Sequence, residues 1–270
     1  MDKMLMQGKV AMVTGGGRGI GEASARRLAD FGAKVILADL DLASATAVAE
    51  SLKSEGKEAD AIEFNVADFD HITEKVAAAR AIYGRIDVLV NVAGITGSTP
   101  ITDITHESWD RMMDIDLKSL FFVSQAVFEV MKEQGYGKMV HMSSLAALRG
   151  GRSSDASYAC AKAGILNLSK CFALAGAPFH ITSNAVCPGN FLDGPLWSDP
   201  EKGLFVQYLK AGKVPGAKTV ADVRAFYEAK VPLGRGCRIE DVAKAVLYII
   251  DQKYETGQAV PVTGGQEMLK

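Results

Sequence analysis

The chain has 270 residues, 48% hydrophobic and 23% charged, with a formal net charge of -2. That is the profile of a globular protein with a sizeable core, and the near-neutral balance offers no general attraction for nucleic acid or an anionic membrane. Four scattered cysteines, Cys160, Cys171, Cys187 and Cys237, form no C-x-x-C pair and no Cys/His cluster, so neither a metal site nor a disulfide framework is indicated and reduced thiols in a cytoplasmic setting are expected.

In chain order, the opening "MDKMLMQGKVAMVTGGG" lacks the apolar region and cleavage site of a secretory leader and runs directly into a strand-like segment. No apolar run reaches membrane-spanning length. "KVAMVTG" then precedes "GEASARRLADFG", "KVILADL" precedes "LASATAVAESLKSEG", "EADAIEFNV" precedes "HITEKVAAARAIYG", and "IDVLVNVAG" precedes a helix over 107–132. A short β-rich run followed by a longer amphipathic one, repeated, predicts right-handed βαβ crossovers and a parallel sheet covered on both faces. The rhythm continues through "GKMVHMSS", a helix over 157–175, the strand "ITSNAVCPG", a helix near 240–250 and "GQAVPVTGG". The expectation is α/β: one Rossmann-type domain over 1–270, a doubly wound parallel sheet of about seven strands. No linker or repeat interrupts it, but residues 190–231 carry prolines and glycines around two helix-like pieces, and an excursion of that length predicts a substrate lid.

The loop "VTGGGRGIGEA" lies where the first strand turns into the first helix. Gly15, Gly19 and Gly21 are spaced G-x-x-x-G-x-G, with Arg18 and Ile20 between them. Such spacing permits a tight turn, close approach of a pyrophosphate and tight helix packing, with phosphate at the helix N-terminus. The second strand ends in Asp39, eighteen positions beyond Gly21, where a carboxylate can accept hydrogen bonds from the adenosine ribose and would repel a 2'-phosphate. This favours NAD over NADP, although Asp41 competes for the role and Arg18 could assist a phosphorylated ribose.

"ASYACAKAG" places Tyr158 and Lys162 four positions apart on one helical face. Alone, such a pair reads equally as surface decoration. Together with the glycine loop, "NVAG" at 91–94, "SS" at 143–144 and "PG" at 188–189, it resembles the short-chain dehydrogenase/reductase family over residues 8–265. The resemblance implies hydride transfer between a nicotinamide and a carbonyl or secondary alcohol. Tyr158 would be the proton donor or acceptor, helped by the positive charge of Lys162; Lys162 would also hold the nicotinamide ribose, and Ser144 would orient the substrate oxygen, with Ser143 as a fallback. It further implies adenine contacts at Asn65 and Val66, cofactor support from Asn91, Ala93 and Gly94, and a turn beside the nicotinamide at Pro188 and Gly189.

Several positions depart from the family pattern. Ser144 precedes Tyr158 by fourteen residues, one more than usual. Asn65 stands for the usual acidic residue, Val92 for an asparagine, and Gly194 for a threonine or serine near the nicotinamide, where Asn190 can substitute. "MDIDLKSLFF" offers Asp116 where the family has an asparagine that helps relay protons; a carboxylate there keeps a proton-relay or structural role. His141, inside a strand, reads as a structural histidine, and His71, His106 and His180 read as caps or surface residues.

The last third, with "GNFLDGPLW", "KVPLGRGC" and "TGQAVPVTGGQEM", resembles the sorbitol-6-phosphate dehydrogenase branch and suggests a polyol, sugar or sugar phosphate. Lys202, Lys210, Lys213, Lys218, Arg224 and Lys230 make the 190–231 segment basic, and Arg149 and Arg152 lie between Ser144 and Tyr158. These cations either meet an anionic substrate group or form a solvated face. Trp197 either covers the nicotinamide or packs the lid down. Other readings are an NAD(P)H-dependent reductase of oxoacyl thioesters or small ketones, and a non-catalytic nucleotide-binding sensor. The family also implies a homotetramer, with Leu120, Phe121 and Phe128 facing either other subunits or their own sheet.

Overall fold

Strand β1 (Val10–Thr14) has every residue buried, as a central strand covered on both faces requires. A computed structural model of the chain describes residues 4–97, 99–149 and 156–268. After β1 come α1 (Gly19–Asp30), β2 (Lys34–Asp39), α2 (Leu42–Ser54), β3 (Ala59–Glu63), α3 (Ile72–Tyr83) and β4 (Val88–Asn91). Helix α4 (His106–Met113) runs through a π-helical turn at Asp114–Lys118 into α5 (Ser119–Gln134), followed by β5 (Gly137–Met142), α6 (Leu145–Arg149), α7 (Ala156–Gly176) and β6 (Ile181–Pro188). Three shorter helices, α8 (Pro195–Ser198), α9 (Leu204–Lys210) and α10 (Val220–Glu228), precede α11 (Ile239–Asp251) and β7 (Ala259–Val262).

The seven strands form one sheet in the order β3-β2-β1-β4-β5-β6-β7, every pair parallel. Alternation along the strands sends Ala11, Val13, Val35 and Leu37 to a core shared with α1, α2 and α11. Met12, Ile36, Leu89 and Met139 face the opposite core, shared with α3 and α5. The doubly wound reading is therefore correct, and the long helix anticipated over 107–132 is two α-helices joined by the π turn. Leu120 and Phe128 are buried within their own chain, and Phe121 packs against Phe172 at 5.9 Å between ring centroids.

The order reverses beside β1, whose neighbours are β2 on one side and β4 on the other. That switch point opens a crevice at the carboxyl ends of the strands, where doubly wound sheets bind ligands. Thr14 holds the two sides of the crevice together: its Oγ1 accepts from the Val92 N–H at 3.1 Å and the Ala93 N–H at 3.3 Å.

The segment between β6 and α11 leaves and re-enters the sheet at one place. The Cys237 N–H donates to the Asn190 carbonyl at 2.9 Å, and Gly236 lies so close to Leu192 that an added Cβ would come within 2.8 Å of its side chain. Leu192, Trp197, Leu204, Phe205, Tyr208, Val214 and Val223 form a separate small core inside this segment. Arg224 fastens it, paired with Asp193 and, at 2.8 Å, with Glu228. Among the described residues no helix is long and apolar enough to cross a membrane.

Candidate active site

The glycine loop follows from backbone geometry. Gly15 has φ +65° and Gly19 φ +57°, left-handed conformations that side chains with a Cβ rarely adopt. At Gly21 space decides instead, because an added Cβ would lie 1.9 Å from the Gly15 carbonyl oxygen. On the cavity side the loop is open: a Cβ at Gly19 would meet nothing within 4 Å. Arg18, at the N-cap of α1, makes no side-chain capping bond, so the first-turn N–H groups face the crevice ready for an anion. This cradle fits the pyrophosphate of a dinucleotide.

Asp39, at the end of β2, is half-buried. One oxygen accepts from the Gly17 N–H at 2.8 Å and the other from the Asp41 N–H at 3.0 Å, which fixes the carboxylate beside the glycine loop. Asp41 is committed elsewhere: it caps α2, accepting from the Ser44 N–H at 3.1 Å, and the Ser44 hydroxyl bond lowers its pKa. Asn65 is exposed, accepts from the Ala67 N–H at 3.0 Å, and is followed by half-buried Val66.

The two serines follow strand β5 and both line the cavity, but the structure distinguishes them. Ser143 is buried and its hydroxyl donates to the Lys162 carbonyl at 2.8 Å, which occupies it with anchoring α7. Ser144 is half-buried and lines the cavity; its Oγ accepts from the Ala146 N–H at 3.2 Å. Tyr158 and Lys162 come from the first turns of α7, with the ammonium 5.5 Å from the centre of the phenol ring. Lys162 is 5% exposed. Its Nζ donates to the Met142 carbonyl at 3.2 Å and lies 3.0 Å from Asp116 Oδ2.

Asp116 sits in the π-helical turn and is 1% exposed. Its Oδ1 accepts from the Ile95 N–H at 2.7 Å. Oδ2 faces Lys162 without a directed hydrogen bond; the contact is one of charge, off the line of the N–H groups. The backbone at Gly94 is pressed onto this carboxylate, where a Cβ would stand 3.3 Å from its oxygens.

These groups surround a cavity of about 430 Å³. Gly19 and Ile20 lie at its cofactor end with Gly94, while Ser144, Tyr158, Lys162, Pro188, Gly189, Asn190 and Trp197 complete its wall. Gly15, Arg18, Gly21, Asp39, Asn65, Val66, Ala93 and Asp116 do not line it. They stand behind it or along the crevice. Asn91 points inward instead: its Nδ2 is 2.9 Å from Ser124 Oγ and 3.1 Å from His141 Nδ1. His141 continues to Ser183 Oγ at 3.0 Å, is fully buried, and has its pKa pushed down to about 4 by that burial. It is the structural histidine anticipated from the sequence. Arg152 lies outside the described residues.

The sequence reading did not single out Thr14 and left open which of the basic residues meet the cavity. Thr14 ties β1 to the turn after β4, and a strand-end threonine gives little sign of that. The lysines and arginine of 190–231 do not line the cavity; Lys213 and Lys230 instead lie over the rings of Tyr208 and Phe226, at 4.4 and 4.1 Å. Arg149 does line it, together with Leu196 beside Trp197.

Residues 9–199 match a family model described as short chain dehydrogenase. The chain is 36% identical over 268 residues to galactitol 2-dehydrogenase of Agrobacterium fabrum, covering 98% of this chain and 100% of the relative. It is 33% identical over 265 residues to the 3-oxoacyl-acyl-carrier-protein reductase FabG of Thermotoga maritima, covering 97% and 99%. Its fold superposes on the crystal structure of NAD+-bound xylitol dehydrogenase with a TM-score of 0.86 at 30% identity, covering 96% of this chain and 99% of the other.

Proposed function

The chain belongs to the short-chain dehydrogenase/reductase family of nicotinamide-dependent oxidoreductases that act on CH–OH groups, and we propose that it interconverts a polyol-type secondary alcohol and its ketone with NAD. The observation that carries this reading is the convergence of Ser144, Tyr158 and Lys162 on one cavity whose other end is the open glycine loop. Similarity to a galactitol and a xylitol dehydrogenase supports the polyol class, and Asp39 beside the loop supports NAD.

The bound nicotinamide supplies the acceptor or donor of hydride at the carbinol carbon. The protein supplies the rest. Ser144 Oγ orients the substrate oxygen, and Tyr158 takes the hydroxyl proton during oxidation and returns it during reduction. Lys162 is held by the Met142 carbonyl and by Asp116, so its charge stands at a fixed place beside the phenol, where it stabilises the negative charge that develops on the oxygen during proton transfer. Residues 190–231, with a core of their own, close over the substrate and exclude water, with Trp197 and Asn190 facing it. Reduction of oxoacyl thioesters stands as the second reading, favoured by the similarity to FabG. The enzyme works as a cytoplasmic homotetramer, for which exposed Leu174 and Phe179, on and after α7, offer apolar contact.

The test is an absorbance screen of free and phosphorylated polyols, small ketones and acyl thioesters with NAD(H) and NADP(H) in parallel. The reading expects NAD-linked polyol oxidation to give the highest kcat/KM. Turnover confined to NADPH and thioesters would overturn it.

A further inference from the structure

We propose that Arg149 is an anion anchor in the substrate cavity, so that the preferred alcohol carries a phosphate or carboxylate group. This deepens the alcohol–ketone reading and rests on it. Among the described residues the cavity is lined by two charged side chains, Lys162 and Arg149, and by no aspartate or glutamate. The two cations differ. Lys162 is buried and its charge is met by Asp116 at 3.0 Å. Arg149 is exposed, and among the described residues no ion pair or hydrogen bond engages its guanidinium.

The local fold explains why Arg149 faces the substrate. Helix α6 begins at Leu145, directly after Ser144, and Leu145, Ala146 and Arg149 all line the cavity. Leu145 and Arg149 are four positions apart and share a helical face. At 1.5 Å rise per residue the Arg149 backbone stands about 7 Å beyond Ser144. The carbinol held at Ser144 and an acidic group held at Arg149 would thus be two ends of one small molecule, with Leu145 and Ala146 under its middle.

The cofactor does not account for this charge. The glycine loop follows β1, whereas α6 follows β5, two strands away in the sheet; at 4.7–4.9 Å per strand that is roughly 10 Å. The pyrophosphate has its own cradle there. The basic residues of 190–231 do not answer the question either, since none lines the cavity and Arg224 is held by Asp193 and Glu228. A guanidinium is always charged, and its planar fork matches the oxygens of a phosphate or carboxylate in paired hydrogen bonds.

Steady-state NAD-linked oxidation of a hexitol, its terminal phosphate and the matching aldonate tests this, with wild type, R149Q and R149K. Wild type is expected to show kcat/KM at least about 10-fold higher for one anionic member than for the neutral hexitol, and which member gains identifies the group. R149Q is expected to cut that preference by about 10- to 100-fold, mainly through KM, and R149K to restore part of it. Equal kcat/KM for neutral and both anionic members in wild type overturns the anchor while leaving polyol oxidation standing. A loss in R149Q that is the same for neutral and anionic substrates also overturns it. Oxidation of none of the three, with thioester reduction intact, overturns the anchor and the polyol reading together.

Discussion

Lys162 Nζ and Asp116 Oδ2 are 3.0 Å apart, with side chains 6% and 0% exposed, a buried charge contact whose ammonium lies 5.5 Å from the centre of the Tyr158 ring. The family resemblance places an asparagine at position 116, so this protein adds a negative charge beside its lysine. A carboxylate there offsets part of the ammonium field felt by Tyr158. Asp116→Asn keeps the shape and the acceptor for the Ile95 N–H but removes the offset. The kcat for alcohol oxidation at fixed pH is expected to rise; an unchanged kcat would separate Asp116 from the proton chemistry. Asp116→Ala leaves a buried ammonium unmatched and is expected to cost about 3–5 kcal/mol of stability, read by urea unfolding.

His141 makes stability depend on acid. Its ring is buried between Asn91 and Ser183, and burial lowers its pKa from 6.5 to about 4. Between those values the unfolded chain binds a proton that the folded chain does not, so stability falls as pH drops. The contribution is complete above pH 6.5 and is lost on the way down to about pH 4, a change of about 3 kcal/mol. His141→Gln is expected to flatten that part of the stability profile. A wild-type profile already flat there would show that the ring charges within the fold.

Asp39 and Asp41 separate cleanly by experiment. Asp39→Ala removes the carboxylate beside Gly17 and is expected to lower the NAD:NADP ratio of kcat/KM by about 10- to 100-fold. Asp41→Ala removes the cap of α2, which is expected to lower the melting temperature, and leaves the cofactor ratio alone. The reverse pattern would move cofactor selection to Asp41.

Gly21→Ala puts a methyl where the Gly15 carbonyl oxygen already lies, 1.9 Å away. The loop must open, so dinucleotide affinity measured by calorimetry is expected to fall by at least about 10-fold, from loss of the preorganised anion cradle. Retained affinity would show that the loop tolerates a different path.

The sheet was legible because the central strands β1, β2 and β4 carry continuous apolar runs and the others alternate with helical stretches. The glycine loop was legible because each of its glycines has a local conformational or packing reason. What depends on facing was not. Ser143 and Ser144 are equivalent as residues and both line the cavity; only the packing of α7 commits the Ser143 hydroxyl to the Lys162 carbonyl and leaves Ser144 half-buried. The sequence left Arg149 and the basic residues of 190–231 with the same two readings, because a count of cations carries no direction; of these Arg149 alone lines the cavity. Asn91 ends a strand that does flank the crevice, yet Ser124 and His141, distant in sequence, draw its side chain into the interior.

The central claim is that the Tyr158 hydroxyl carries the proton while hydride passes to or from the nicotinamide. Tyr158→Phe removes one oxygen from a half-buried ring and leaves the glycine loop untouched. Single-turnover rates and NAD affinity measured side by side on this variant test the claim most directly. The account predicts affinity within about threefold of wild type and a rate lower by about 10²- to 10⁴-fold; a rate equal to wild type would contradict it.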